Sequence, residues 1–125
     1  MSSSEAQVRR DLATAYNLIA HFRMDDLIHT HASARLPEEP DMLLINRYGD
    51  LFEEITPESL AVIDHEGRLA RGEQAPLNTA GIVIHTAIHK ARPDAACVIH
   101  THTDAGVAVS SLADGLLPLN QTALW

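Results

Sequence analysis

Between residues 5 and 22 apolar side chains recur at Val8, Leu12, Ala15, Tyr16, Ile19 and Phe22. That is the 3.6-residue period of a helix with one buried stripe. Ser4 with Gln7 offers a capping box at its start. From Met24 to Pro37 the pattern switches to alternation. Leu27, His29, His31 and Ser33 fall on one face of a strand, and Ile28, Thr30, Ala32 and Ala34 on the other. The segment P-E-E-P, residues 37–40, is an acidic turn; M-L-L-I-N, residues 42–46, is a short buried strand; Tyr48-Gly49-Asp50 is a second turn. Thr56 and Pro57 suit the N-cap and first position of a short helical turn. L-A-V-I-D, residues 60–64, reads as a strand that returns through Glu66-Gly67 into Arg68-Leu69-Ala70 as a hairpin. Residues 71–76 form a polar loop. A second helix opens at Asn78 or Thr79 and runs to about Ala91, with Ile84, Ala87, Ile88 and Ala91 as its apolar face. Arg92-Pro93-Asp94 ends it, because the residue before proline avoids the helical region. Ala96 to Thr101 is a strand. Asp104 caps a third helix from residue 105 to about 112, Asp114-Gly115 breaks it, and Leu116 to Leu119 is extended. The closing N-Q-T-A-L-W reads as an element cut short.

The alternation of helices and strands predicts one mixed α/β domain over residues 1–125, with helices covering a sheet. Its 125 residues suffice for one domain and not for two. Apolar residues make up 46% and aromatics only 4%, so the core is built from Leu, Ile, Val and Ala. A formal charge of −8 argues against nucleic acid as a partner, since that needs clustered Lys and Arg, and against an anionic membrane surface. The single cysteine, Cys97, excludes an intramolecular disulfide and reads as a buried thiol acting as a small hydrophobe. No apolar signal core opens the chain and no apolar run reaches membrane length, which makes a cytoplasmic location the default.

Candidate chemistry sits in the eight histidines. In V-I-H-T-H, residues 98–102, two histidines lie two apart on a strand, so His100 and His102 point the same way. Their ring nitrogens come within reach of one divalent cation; imidazole suits zinc, iron, nickel or copper. The plainer alternative is a pair of polar residues at a strand end. His85 and His89, four apart on the second helix, also share a face. They lack the glutamate of an H-E-x-x-H zinc motif. His85 reads as partly buried and His89 as more exposed. For His29 and His31 a structural role is the simpler reading, and His21 and His65 read as ordinary helix-end and turn residues.

The run H-T-A-I-H-K-A-R-P-D-A-A-C-V-I-H-T-H-T, residues 85–103, resembles the signature of the class II aldolase/adducin family: a helix, then R-P-D, then an apolar strand ending in His-x-His. Upstream, A-Y-N-L-I-A-H-F resembles that family's first helix and T-H-A-S-A-R-L-P its G-N-x-S-x-R strand. Y-G-D-L-F-E-E-I-T-P-E-S-L-A-V-I-D resembles its loop-then-strand segment. The likeness spans roughly residues 8–122, in order.

The resemblance implies a three-layer α/β/α sandwich with a mixed, largely antiparallel sheet, incomplete at its C-terminal end. It implies a cyclic homotetramer with active sites near subunit interfaces. It also implies a divalent metal, zinc as first choice, held by His100, His102 and a third histidine beyond Trp125. Such a metal polarises a substrate carbonyl. The substrate is then a small carbonyl or sugar-like compound and the reaction a lyase or a related one. Several positions depart from the family. The acid/base glutamate, four residues before the helix histidine, is replaced by Gly81, and Glu73 is the nearest glutamate, in the preceding loop. The phosphate-binding asparagine corresponds to His31. Gly49 keeps the glycine of a second phosphate loop, but Asp50 beside it would repel a phosphate. Thr79-Ala80 stands where the family has a pair of small hydroxyl residues. His31, Gly49 and Thr79 are therefore the substrate-binding candidates. The alternative is a non-catalytic, adducin-like assembly or scaffold protein, motivated by Gly81. An incomplete sandwich also exposes a sheet edge and an apolar helix face, which predicts poor solubility.

Overall fold

A computed structural model describes residues 4–72 and 74–124; Glu73 and Trp125, both considered above, and the first three residues lie outside them. Helix α1 (Glu5–His21) is followed by β1 (His31–Arg35), β2 (Met42–Ile45), β3 (Ala61–Asp64), α2 (Thr79–Ala91), β4 (Cys97–His100) and α3 (Asp104–Ser110). Single 3-10 turns occur at Phe52–Glu54 and Gln121–Leu124. The strands form one sheet in the order β3-β2-β1-β4, and every pairing in it is antiparallel. Leu69 bridges back to Ile63, completing the hairpin return read from the sequence.

Alternation along the strands separates two faces. Ala32, Ala34, Leu44 and Val62 face α1 and pack with its Leu12, Ala13, Tyr16 and Ile19, and with Phe52, Ile55 and Leu60. Tyr16 meets Phe52 edge to face, at 4.6 Å between centroids. The Tyr16 hydroxyl lies among the Ala32 carbonyl, the Ala32 and Asn46 amides and the Asn46 side chain, so α1 is tied to β1 and β2 by a fully buried polar anchor. On the opposite face Leu43, Ile45 and Ile63 pack with Leu69, Leu77 and Ile82. Helix α2 lies on that side, against β1 and β4, giving three layers. Its N-cap is Asn78, whose side chain accepts from the amides of Ala80 and Gly81.

Several local expectations are corrected. The strand begins only at His31, because Arg23 and Leu27 adopt positive φ (54° and 48°) and wind residues 22–30 into turns. Ser4 makes no side-chain cap; Gln7 bonds to Asp11 instead. The third helix is capped by Thr103, whose hydroxyl accepts from Gly106, and not by Asp104. Residues 116–119 join no strand. Cys97 is exposed, because β4 extends the sheet past the edge of α1 and leaves its α1-side face open. A cleft of about 300 Å³, lined by Val8, Leu12, Ala15, Ala34, Pro37 and Cys97 among others, marks that gap. Most consequentially, α2 is turned over: Gly81, His85, Thr86 and His89 are its buried residues, while Ala87 and Ala91 are exposed and Ile84 and Ile88 are 37% and 38% exposed. β1 presents His31 and Ser33 to that side, so the polar stripe of the helix faces in to meet them.

Candidate functional site

β4 pairs with β1 so that His100 stands directly opposite His31. The two rings stack, 4.6 Å apart and 12° from parallel. Two residues past the strand end, His102 turns back, and its Nε2 lies 2.9 Å from Nε2 of His100. The Nδ1–H of His102 donates to Oδ2 of Asp26 at 2.9 Å. Asp26 is held by the wound segment before β1, where its amide donates to the Thr30 hydroxyl and its carbonyl accepts from His29. The positive-φ turns that replaced the expected strand thus supply the carboxylate behind His102.

This donor set fits a divalent cation in part. Two ligands of a tetrahedral zinc at about 2.05 Å are roughly 3.3 Å apart, a few tenths of an ångström more than the two Nε2 atoms here. A carboxylate on the far nitrogen fixes the tautomer that leaves Nε2 bare, the usual support of a metal-bound histidine. Without a metal, the Asp26 contact places a proton of His102 on Nδ1, and when the two rings are neutral Nε2 of His100 is the donor in the close pair. No third histidine, cysteine, aspartate or glutamate joins them in a metal-holding group among the described residues.

Behind this pair lies a buried polar cluster. Nδ1 of His31 is 2.7 Å from Nε2 of His85. Nδ1 of His85 is 2.5 Å from Oγ of Ser33, and Oγ of Ser33 is 2.8 Å from Nε2 of His89. Arg35 closes the line, donating to the His89 carbonyl at 2.8 Å and lying 3.3 Å from its Nδ1. Another guanidinium nitrogen of Arg35 reaches Nε2 of His65 at 3.2 Å. His85 and His89 are 0% and 1% exposed, which corrects the partial burial read for the first and the exposure read for the second. Burial pushes the pKa of His85 down to about 3 and that of His31 to about 4, with neighbouring imidazoles adding to it. Burial, then the Arg35 charge, pushes His89 down to about 4. All three are neutral at pH 7. His100 is lowered by burial and by His102.

Gly81 lies in the first turn of α2 against the His31 ring. Thr79 is the exposed first residue of the same helix. Gly49, at φ 101°, sits in the turn after β2, which the amide of Tyr48 ties to the loop entering α2 through Pro76. The structure thus gathers His31, Gly81, His100 and His102 in one place and leaves Gly49 in a separate turn. Sequence reasoning missed Ser33, Arg35 and Asp26 as partners of the histidines. The alternation His31-x-Ser33-x-Arg35 opposite an i, i+4 histidine pair was the available signal.

Comparison with known proteins follows the same lines. The family model described as the class II aldolase and adducin N-terminal domain matches residues 10–124. A Pseudomonas aeruginosa protein named after the class 2 aldolases is 47% identical over the whole chain, which spans 48% of that protein. Alpha-adducin of Rattus norvegicus is 40% identical over 96% of the chain, which spans 17% of it. A solved L-fuculose 1-phosphate aldolase from Glaciozyma antarctica superposes with a TM-score of 0.86 at 31% identity, over 95% of this chain and 49% of that one. The chain therefore spans about half or less of the relatives it matches.

Proposed function

The chain belongs to the class II aldolase and adducin family, and from that membership we propose that the protein carrying it is a divalent-metal-dependent enzyme. The reaction is that of a lyase or a close relative, on a small oxygenated carbonyl compound, with His100 and His102 as metal ligands. One observation carries this reading: the two Nε2 atoms converge at 2.9 Å while Asp26 holds the far nitrogen of His102. Zinc is the first choice among metals, and a third protein ligand comes from outside the described residues. Bound there, the metal supplies Lewis-acid polarisation of a carbonyl oxygen.

The chain's own residues do the rest. Asp26 orients His102. Stacking on His31 fixes the ring of His100. Neutral His31 and His85 keep positive charge away from the cation, since a protonated imidazole beside it would repel it. Gly81, in the first turn of α2, stands against the His31 ring beside the pair, and Thr79 and Gly49 enter this reading as substrate-binding positions through the family resemblance alone. A homo-oligomer, a tetramer by family resemblance, belongs to the same proposal and is supported by the outward apolar stripe of α2. So does a cytoplasmic location; among the described residues no helix is long and apolar enough to cross a membrane.

The test is elemental analysis of the purified protein after exposure to zinc. We expect stoichiometric metal in the wild type and its loss when His100→Ala and His102→Ala are combined. Unchanged metal content in the double variant sinks the reading. The occupation of the Gly81 side-chain space by His31 favours a second reading, an adducin-like assembly protein without catalysis. Turnover of any aldehyde, 2-oxo acid or sugar phosphate by the metal-loaded protein excludes it.

A further inference from the structure

The hydrogen bonds behind the histidine pair run in one direction, and the sense is set at Arg35. A guanidinium has donors only, so the Nδ1 of His89 that it approaches at 3.3 Å is bare and the His89 proton sits on Nε2. That Nε2–H donates to Oγ of Ser33 at 2.8 Å. The single Ser33 hydroxyl proton then goes to Nδ1 of His85 at 2.5 Å. His85 is left with its proton on Nε2, which donates to Nδ1 of His31 at 2.7 Å. His31 consequently carries its own proton on Nε2. Every proton in the line is used once. The opposite sense would start from the Ala95 carbonyl, which lies beside the His89 ring. That carbonyl keeps a lone pair beside the one it gives to Nε of Arg35 at 3.4 Å, but the reversal would aim an N–H of His89 at the guanidinium, which has nothing to accept it.

The free end of the line matters. Nε2 of His31 has no hydrogen-bond partner among the described residues, and no fully buried side-chain nitrogen or oxygen there lacks one. The atom therefore opens into the small exposure, 4%, that His31 retains. Around it stand the ring of His100, stacked at 4.6 Å, and the backbone of Gly81. We propose that His31 presents a fixed Nε2–H donor to an oxygen atom of the ligand held at His100 and His102, and that Arg35 is the positioning residue that sets its tautomer. The ligand class is a small molecule with a carbonyl or alkoxide oxygen beside a metal-bound oxygen, such as a 2-hydroxy acid. The ligand half rests on the metal reading above; the tautomer half does not.

Two measurements test it. Long-range nitrogen–proton correlation spectra of the 15N-labelled, metal-free protein at pH 7.5 are expected to show His31, His85 and His89 all protonated on Nε2. A bare Nε2 on His31 overturns the proposal. Arg35→Met is expected to give His31 a mixture of tautomers and Arg35→Lys, still a pure donor, to restore one; an unchanged His31 pattern in Arg35→Met overturns the role of Arg35. Glycolate is then titrated into zinc-loaded protein. His31→Phe keeps the stacked ring and loses the donor, and is expected to bind glycolate at least tenfold more weakly with zinc affinity within twofold. His31→Gln, whose amide N–H reaches the position of the imidazole Nε2, is expected to recover most of the loss. Equal glycolate binding in wild type and His31→Phe, absence from both included, overturns the ligand half. Where His31→Phe does not fold, Ser33→Ala breaks the line at a distance and is expected to lower glycolate affinity likewise. Should zinc fail to bind the wild type, the metal reading falls alone, and the donor is judged by the spectra and by glycolate binding to the metal-free protein.

Discussion

A Cβ built on Gly81 would stand 2.8 Å from Cδ2 and 3.0 Å from Nε2 of His31, so these two residues compete for one volume. Two effects oppose each other in Gly81→Ala. Helix propensity favours alanine by about 1 kcal/mol. Overpacking against a ring held by His85 and His100 costs about 1–3 kcal/mol. The second wins, because the ring is braced on two sides and cannot swing away. Gly81→Ala is therefore expected to destabilise the wild type and to stabilise the His31→Ala background. Urea unfolding of the four proteins in a double-mutant cycle checks this; the same sign in both backgrounds refutes it.

Asp26 is expected to govern metal affinity without governing the fold. Its side chain is half-exposed and its carboxylate serves His102. Asp26→Asn should weaken zinc binding roughly 10–100-fold, with the urea midpoint nearly unchanged. Competition against a chromophoric chelator reads the affinity directly.

Acid should unfold the protein through its buried histidines. His85 and His89 titrate at about 3 and about 4 when folded, against an ordinary 6.5. Below pH 6.5 the unfolded chain takes up protons that the folded one refuses, so stability falls as the pH drops from about 6.5 toward those lower values. Each histidine contributes on the order of 3 kcal/mol across that window. The urea midpoint measured from pH 8 to pH 4 should be flat above about 7 and decline below, and His89→Gln should make the decline shallower. A midpoint independent of pH through that range contradicts the neutral assignment.

Removing one oxygen from the α1 anchor should be costly. Tyr16→Phe leaves the Asn46 side chain and the backbone of Ala32 without their buried partner. We expect a loss of about 1–3 kcal/mol, measured by urea unfolding, with metal binding unchanged.

The outward stripe of α2 gives a prediction about association. Ile84 and Ile88 are more than a third exposed on a face that the sheet does not cover. Combined Ile84→Lys and Ile88→Lys should shift sedimentation toward the monomer, while the urea midpoint changes by less than about 0.5 kcal/mol equivalent. Unaltered sedimentation would separate this stripe from any interface.

Much of this architecture was legible in residue periodicity. Helix α2 begins and ends where Asn78 and R-P-D place it, and β2 and β3 fall on their apolar runs. Strand alternation suggested that His100 and His102 share a side, but β4 ends at His100, and their close approach comes from the turn after it and from the Asp26 contact. What periodicity could not give is which face meets which. The apolar positions Ile84, Ala87, Ile88 and Ala91 suggested an inward stripe, yet the helix buries His85 and His89 because β1 offers His31 and Ser33 across the layer. A pairing between residues 33 and 85 has no local signature. Asp26 was hidden for another reason: alternation through residues 24–34 looked extended, and only positive φ at Arg23 and Leu27 breaks it into turns.

The sheet order also dictates an order of assembly. Strands β1, β2 and β3 form a simple meander, each beside its neighbour in sequence, whereas β4 pairs, among the described residues, only with β1 and arrives after α2 has been laid down. Closing that long excursion is slow compared with forming the hairpins. The segment bearing the ligand pair is thus expected to dock last on refolding, so recovery of zinc binding would lag behind recovery of the meander.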